Sequence, residues 1–502
     1  MLNNMVQQKS VIIIGGGLGG LFTGAILSKN GVKVTIVEKN SSIGGGLQTF
    51  VRFGEIFDTG MHVISGLHDG CNIRRLFDYL GIYDKSLFAD VDNNYADSIY
   101  VAHDGMTYKI GAGRDNFISS LSRYFPDQKY ALTKYVDAMY GMVSKIPLFN
   151  LTNNKEQNYF DNEETMFPAD DFIAKYITND MLKGILSYIS MIYAGEGKIT
   201  PAYVHALVSV FYLMGPSRFI GGSHRLAELL EKIIVETGGQ IFLNEEVCYI
   251  HNDKKTITSI ETKRGRKFCG DYYISDVNLK NLINILDEKS AFTKAFRERI
   301  KNLPMTYSAF TINLKFRPNS FRYLPHTGFY LSDYDGIWDI GNNNAEWPRG
   351  FLYVTPPEQN QKKFCQKMII TIPMPWSFVR QWEQTQLSQR PKDYHFWKKQ
   401  CLDCVLEKIQ DIFPGIRNCI EAVNTASPLT IRDYYGIPNG AMYGFRKDCR
   451  DIIRTQIGTR TKVQNLLLTG QSVNLHGFCG VPLTAIQTSE EILGENCVMN
   501  KL

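Results

Sequence analysis

The sequence predicts an α/β protein: a doubly wound parallel sheet with a β-meander, joined to a mixed α+β domain. Three observations predict it. Val11-Ile12-Ile13-Ile14 is a short apolar run, suited to a parallel strand buried on both faces, and glycines, a helical pattern, a second apolar run and an acid follow it. A second helix-then-strand pattern occupies Gly221 to Asp276, far along the chain. A third apolar run, Leu466-Leu467-Leu468, is again followed by a helical pattern. Strands that alternate with helices in this way build parallel sheets.

The first unit carries the most chemistry. Gly15, Gly17 and Gly20 stand in the spacing G-x-G-x-x-G, between the strand and a helix that runs through Leu18, Leu21, Phe22 and Ala25. Gly15 permits the tight turn, Gly17 lets backbone approach a pyrophosphate, and Gly20 lets helix pack on strand. The helix N-terminus presents free N–H groups and a positive dipole end to phosphate. Gly31 is suited to a left-handed C-terminal cap. The second strand, Val32 to Val37, runs directly into Glu38, whose carboxylate suits ribose hydroxyls and repels a 2′-phosphate. This is the dinucleotide-binding, Rossmann-type fingerprint in its required context.

The residues that follow favour FAD over NAD. Lys39, then Gly44-Gly45-Gly46, then Thr49 and Asp58-Thr59-Gly60 form a second glycine-rich stretch just past the ribose-binding acid. An FAD site needs extra backbone close to the ribityl chain and ring, and glycine allows the closest approach.

Glu38-Lys39, Gly44-Gly45, Gln48-Thr49-Phe50 and Phe57 to His62 resemble the N-terminal signature of FAD-dependent phytoene desaturase-like oxidoreductases, closest to the carotenoid isomerase and retinol saturase branch. Three later segments agree: Gly221-Gly222-Ser223 through Val247, Pro428 through Tyr443-Gly444, and Leu468-Thr469-Gly470-Gln471 with Gly477 and Gly480. The resemblance implies FAD contacts from Leu18, Gly19 and Lys39 beside the glycines and Glu38. It adds Gly45, Gly46 and Leu47, then Gly60, Met61 and His62, and Val247. From the C-terminal motif it adds Gly470, Gln471, Gly480, Val481 and Pro482. It further implies redox chemistry on carbon–carbon bonds of a long isoprenoid or polyene (saturation, desaturation or isomerisation).

The remaining elements follow in order. Residues 81–214 carry aromatic and aliphatic helical patterns around a polar stretch, Asn150 to Asp171, expected as a lid or loop. Ile199 to Ser217 lacks formal charge, but its dense apolar part, Ala202 to Met214, falls short of the roughly 20 residues a membrane span needs. A buried helix, or one lining an apolar tunnel, is expected there. Leu226, Leu229, Leu230, Ile233 and Ile234 follow helical spacing. Ile241 to Leu243 and Val247 to Ile250 read as strands with a turn at Asp253-Lys254, and Tyr272 to Asp276 as a strand returning to the main sheet. Residues 291–455 mix strands such as Ala309 to Phe316 with helices such as Tyr394 to Ile412. Pro482 is placed at the start of the last helix, which Gly494 ends. Its N-terminus is expected to face the pyrimidine end of the flavin and to stabilise negative charge there. The expected division is therefore discontinuous: 1–80, 215–290 and 456–502 for FAD, 81–214 and 291–455 for substrate.

Composition narrows the function. A chain of 502 residues with 44% hydrophobic content can bury a large core. A net charge of +5 without a basic run argues against nucleic acid as a partner. The ten cysteines are scattered, and Cys401 and Cys404 fall in a helical pattern. No histidines stand at ligand spacing, so no metal is expected. A reducing cytoplasm fits, with peripheral membrane attachment as a corollary of an apolar substrate. His62, Tyr443 and His476 are the candidates for polar contact near the flavin or substrate, each equally readable as packing residues, and no general acid or base is assigned. Two alternatives remain beside the polyene enzyme: a non-catalytic prenyl or lipid binder on the same fold, and a flavin amine oxidase.

Overall fold

The computed structural model describes residues 8–152, 163–253, 255–341, 346–360 and 363–502. Five parallel strands form the first sheet, in the order Leu466–Leu468, Tyr272–Ser275, Ser10–Ile14, Lys33–Val37, Gln240–Phe242. Val11 to Ile14 are all buried, as a strand covered on both faces requires. The helix Leu18–Lys29 packs on this sheet, with helices His224–Glu236 and Gly477–Leu493 against it. Ten of its twelve residues are buried, so small residues are needed along it. A Cβ on Gly20 would lie 2.1 Å from the Gly15 carbonyl oxygen, which leaves glycine as the residue that fits. Gly31 adopts φ +80° just past the helix end.

A three-stranded antiparallel meander, Val247–Asp253, Thr256–Thr262 and Lys267–Phe268, joins the fifth strand's neighbourhood to Tyr272. Lys254, one half of the expected turn, lies outside the described residues.

The second sheet is mixed and seven-stranded: Ile420–Ala426, Ser308–Phe316, Lys367–Met374, Gly350–Val354, Thr327–Leu331, Asp97–Val101, Met106–Ile110. Its single parallel pairing sets Thr327 beside Asp97. The strands of the first sheet all fall within 1–80, 215–290 and 456–502, and those of the second within 81–214 and 291–455. The helix Ala202–Leu213 is buried along its whole length. Its polar side chains are held by partners: His205 lies between the hydroxyls of Tyr135 (2.6 Å) and Tyr193 (2.8 Å). Among the described residues, no helix is long and apolar enough to cross a membrane. Residues 153–162, the middle of the polar stretch expected as a lid, lie outside the described residues.

The last helix differs from the expectation. It runs Gly477–Leu493, with His476 as its N-cap, so Pro482 sits inside it rather than at its start. Gly477, at φ +67°, turns the chain into the helix earlier than a proline-based reading allows. Gly480 then permits close packing, because a Cβ there would lie 2.2 Å from the Leu475 Cβ. Packing of this turn, rather than proline's preference for a first turn, sets the helix start.

Candidate functional site

One cavity of about 730 Å³ runs between the two sheets, within the size range of small-molecule sites. Its nucleotide end is built by the first βαβ unit. Glu38 is buried and already takes two backbone donors: Gly16 N–H at Oε2 (2.7 Å) and Asn40 N–H at Oε1 (2.8 Å). These bonds fix the carboxylate, and each oxygen retains a lone pair for a ribose hydroxyl. Gly17 caps the helix without a side-chain partner, and no acid stands in the first turn. The N–H groups of Gly17 and Gly20 at that end are met by the buried Asp276 carboxylate, so an anion bound there has this side chain as its neighbour.

From there the wall continues through Gly45, Gly46 and Leu47 to Gly60, Met61 and His62, and closes at Gln471, His476 and Val481. A Cβ on Gly45, already at φ +54°, would stand 3.2 Å from the Gly17 Cα, so glycine keeps this strip narrow. The Gln471 side-chain amide donates to the Met442 carbonyl, pinning the C-terminal motif to the residue before Tyr443. The Nδ1 of His62 is shielded and has no hydrogen-bond partner among the described residues. A long ligand with an anionic middle, a polyhydroxyl part and a hydrogen-bonding far end fits this wall, and FAD is such a ligand.

The cavity brings together most of the predicted residues: Gly15, Gly17, Leu18, Gly19, Glu38, Lys39, the two glycine-centred stretches, Val247, Tyr443, Gln471, His476 and Val481. Gly20, Gly470, Gly480 and Pro482 do not line it. They act one layer behind. Gly470, at φ +83°, lies against Gly19 and Asp276, and a Cβ on it would meet Asp276 Oδ1 at 1.9 Å. Pro482 is buried within its helix.

Sequence reasoning missed Asp276, at the carboxyl end of its strand. Its carboxylate accepts the backbone N–H groups of Gly17 and Gly20, and burial raises its pKa to about 7, with the Glu38 charge adding to the rise. The signal was available: ligands of open α/β sheets bind beyond the carboxyl ends of strands.

At the far end the titratable groups are neutral. Burial lowers the pKa of His62, and burial with the Lys447 charge pushes His476 down to about 3. Burial raises the Tyr443 hydroxyl above its usual range. The Tyr443 and His476 rings sit 5.4 Å apart. These three side chains offer neutral hydrogen bonds at pH 7 rather than charge.

The second sheet supplies the opposite wall. A single row crosses it, Thr311, Thr371, Leu352 and Phe329, each paired in register with the next, and all four line the cavity. Val208, Phe211 and Tyr212 of the buried helix and Ile192 complete this side. Cys401 is buried on its helix, and no group of three or more metal-binding side chains occurs among the described residues.

Comparison with known proteins places this geometry. The family described as flavin containing amine oxidoreductase matches residues 18–493. All-trans-retinol 13,14-reductase of Danio rerio is 24% identical over 542 residues, covering 99% of this chain and 88% of that protein. The 1-hydroxycarotenoid 3,4-desaturase of Flavobacterium sp. (strain P99-3) is 23% identical over 506 residues, covering 95% and 96%. Among solved structures, wild-type putrescine oxidase bound to putrescine superposes with a TM-score of 0.66 at 13% identity, over 97% of this chain and 99% of that one. At that identity the likeness speaks for the fold alone.

Proposed function

This chain belongs to the flavin-containing amine oxidoreductase family, and we propose that it is an FAD-dependent oxidoreductase acting on carbon–carbon bonds of a long isoprenoid or polyene lipid. The observation that carries the reading is similarity along the whole chain to a retinol reductase and a carotenoid desaturase. The apolar wall of Leu352, Phe329, Val208 and Phe211 supports it, because an extended hydrocarbon is held chiefly by burial. The amine-oxidase reading has the shared fold in its favour.

FAD, when bound, supplies the hydride transfer. The protein's part is position and electrostatics. Glu38 and the Gly15–Gly20 turn hold the adenosine and phosphate end. Gly45, Gly46, Gly60 and Met61 let backbone run close to the ribityl region. The N-terminus of the helix Gly477–Leu493 opens on the cavity through Gly477 and Phe478, where its free N–H groups favour negative charge. The mixed sheet lays an apolar floor along which a polyene is oriented, and the two layers of protein keep water from it. On this reading 1–80, 215–290 and 456–502 serve the cofactor, and 81–214 and 291–455 the substrate.

Peripheral membrane attachment is part of the proposal. The hairpin Thr49–Arg52 and Glu55–Asp58 exposes Val51 (67%), Phe53 (41%) and Ile56 (37%), and the chain then enters the cavity wall at Thr59 and Gly60. An apolar tip beside the cavity suits delivery of a lipid from a bilayer.

The test is anaerobic photoreduction of the purified flavoprotein, followed by addition of retinoids, carotenoids and amines. Reoxidation of the flavin by a polyene, or reduction of oxidised flavin by one, is the expected result. Turnover of amines alone, or a protein that purifies without flavin, would overturn the proposal.

A further inference from the structure

The helix Ala202–Leu213 is buried throughout, yet it carries a polar stripe: His205, Ser209 and Tyr212 stand at i, i+4 and i+7. At one end of the stripe Tyr212 lines the main cavity. It donates to the buried Asp97 at 2.8 Å, and its oxygen accepts from the Thr327 hydroxyl at 3.3 Å. The other Asp97 oxygen accepts the Tyr188 hydroxyl, also at 2.8 Å. Burial raises the Asp97 carboxyl to about 7, against the pull of these two hydroxyls and of the Arg218 guanidinium, so both protonation states are populated near neutral pH. Behind this group lies a second cavity of about 20 Å³, lined by Tyr135, Tyr188, Ser209 and Tyr212 among apolar side chains. Ser209 is the exception on its helix: its buried Oγ has no hydrogen-bond partner among the described residues. A buried water needs about 10–15 Å³ and at least two polar partners, and this space offers both. Beyond it His205 lies between the Tyr135 and Tyr193 hydroxyls, and burial keeps its ring neutral by lowering its pKa to about 3. A neutral imidazole carries one N–H, so one of the two tyrosines accepts from it and keeps its own proton to give. Tyr193 leads into the turn that surfaces at the exposed Lys198.

Resting on the polyene reading, we propose that Asp97 is the proton relay of the reaction: it passes protons between Tyr212, at the main cavity, and Tyr188, at a water that Ser209 holds in the second cavity. Saturating a carbon–carbon double bond adds a hydride to one carbon. Its neighbour, left with the electron pair of the broken π bond, takes a proton. The hydride is the flavin's, reduced beforehand by an external two-electron donor. The proton comes from the Tyr212 hydroxyl, whose oxygen takes the Asp97 proton in the same step. The carboxylate left behind accepts both tyrosine hydroxyls, as in the structure. It is recharged with the Tyr188 proton, while Tyr188 takes one from the water and the water one from the Tyr135 side. Desaturation runs the same transfers backwards. The network also ties the helix to the sheet edge. An amide would make that tie without the desolvation of a charge, and the tie gives no reason for an unpartnered hydroxyl beside a water-sized space.

The experiment uses the flavin-loaded protein. A crystal structure should show one water within hydrogen-bonding distance of Ser209 Oγ; an empty second cavity overturns the relay. Infrared spectra over a pH series should show a buried carboxylic-acid C=O band that fades as the pH rises through about 7 and is missing in Asp97→Asn. After anaerobic photoreduction, all-trans-retinol or lycopene is added, and flavin reoxidation is followed in H2O and in D2O. The wild type is expected to be slower in D2O. Asp97→Asn should keep its flavin and lose roughly 100-fold or more of the rate, the scale of a lost acid–base contribution. If Asp97→Asn does not fold, Tyr212→Phe decides, with a loss of the same size expected. A wild-type rate and isotope effect in these variants, or the absence of a titrating band, overturns the relay. Polyene turnover with either of those results keeps the polyene reading and removes the relay. A titrating Asp97 band and an ordered water in a protein that turns over no polyene do the reverse.

Discussion

Glu38 and Asp276 both stand at the first glycine turn, with opposite consequences for a bound FAD. Glu38 is held by the Gly16 and Asn40 N–H groups, where a ribose adds hydrogen bonds. Glu38→Ala should therefore weaken FAD by roughly 1–3 kcal/mol, the scale for a lost charged hydrogen bond, seen as a rise in flavin dissociation constant. Full flavin content and unchanged affinity in that variant would remove the assignment. Asp276 instead titrates against the cofactor. Its folded-state pKa, raised to about 7 from 3.8, means that the folded protein binds a proton more tightly than the unfolded chain. Its contribution to stability is complete below pH 4 and is lost as the pH rises through 7. A pyrophosphate beside it adds a second anion, so flavin affinity should fall across the same window. Asp276→Asn should flatten both profiles, by a few kcal/mol at pH 8 for stability. Parallel pH profiles in wild type and variant would show that the carboxylate does not face the phosphates.

At the scale of the element, the last helix is the clearest case. Its start was misread from Pro482; the N-terminal turn, from Gly477, opens on the cavity, as a helix addressing the flavin would have to. Val481, on the wall in the second turn, gives a direct test. Val481→Asp would set a negative charge beside the ring's expected position, and should lower the flavin reduction potential by roughly 20–40 mV, about 1–2 kcal/mol for two electrons. Flavin content should stay unchanged, since the adenosine end is untouched. A variant that keeps its flavin at the wild-type potential would assign this helix to sheet closure alone. The first βαβ unit was legible to within a residue because its logic is local: a buried apolar run, glycines forced by close approach, and a left-handed Gly31. The final helix start depends on how Gly480 packs on Leu475 just before the helix and on how Gly477 packs on Tyr443, a contact between distant segments.

At the scale of the molecule, two sheets interleaved in sequence flank the main cavity, and the hairpin beside it presents apolar side chains outward. Replacing Val51 and Phe53 with Asp should abolish flotation with liposomes while leaving flavin content intact. Flotation unchanged in that variant, or absent in the wild type, would place membrane attachment elsewhere or nowhere. The discontinuous assembly explains why the chain carries cofactor motifs near residues 15, 45, 245 and 470: each reaches the site from the end of a different strand or turn.

The amino-acid sequence by itself determined the fold class, the flavin and the course of the first glycine turn. Those rest on short-range patterns, such as strand periodicity, glycines at fixed offsets and an acid at the strand end, that any correct fold must satisfy locally. Tertiary structure decided the rest. Asp276 and Gly19 are 257 positions apart and meet at Gly470; Tyr212, Asp97 and Thr327 come from a helix and two strands that share no sequence neighbourhood. No spacing rule encodes such encounters. They arise because burial of two sheets against shared helices brings remote polar groups into one low-dielectric wall, where each must find a partner or bind a ligand.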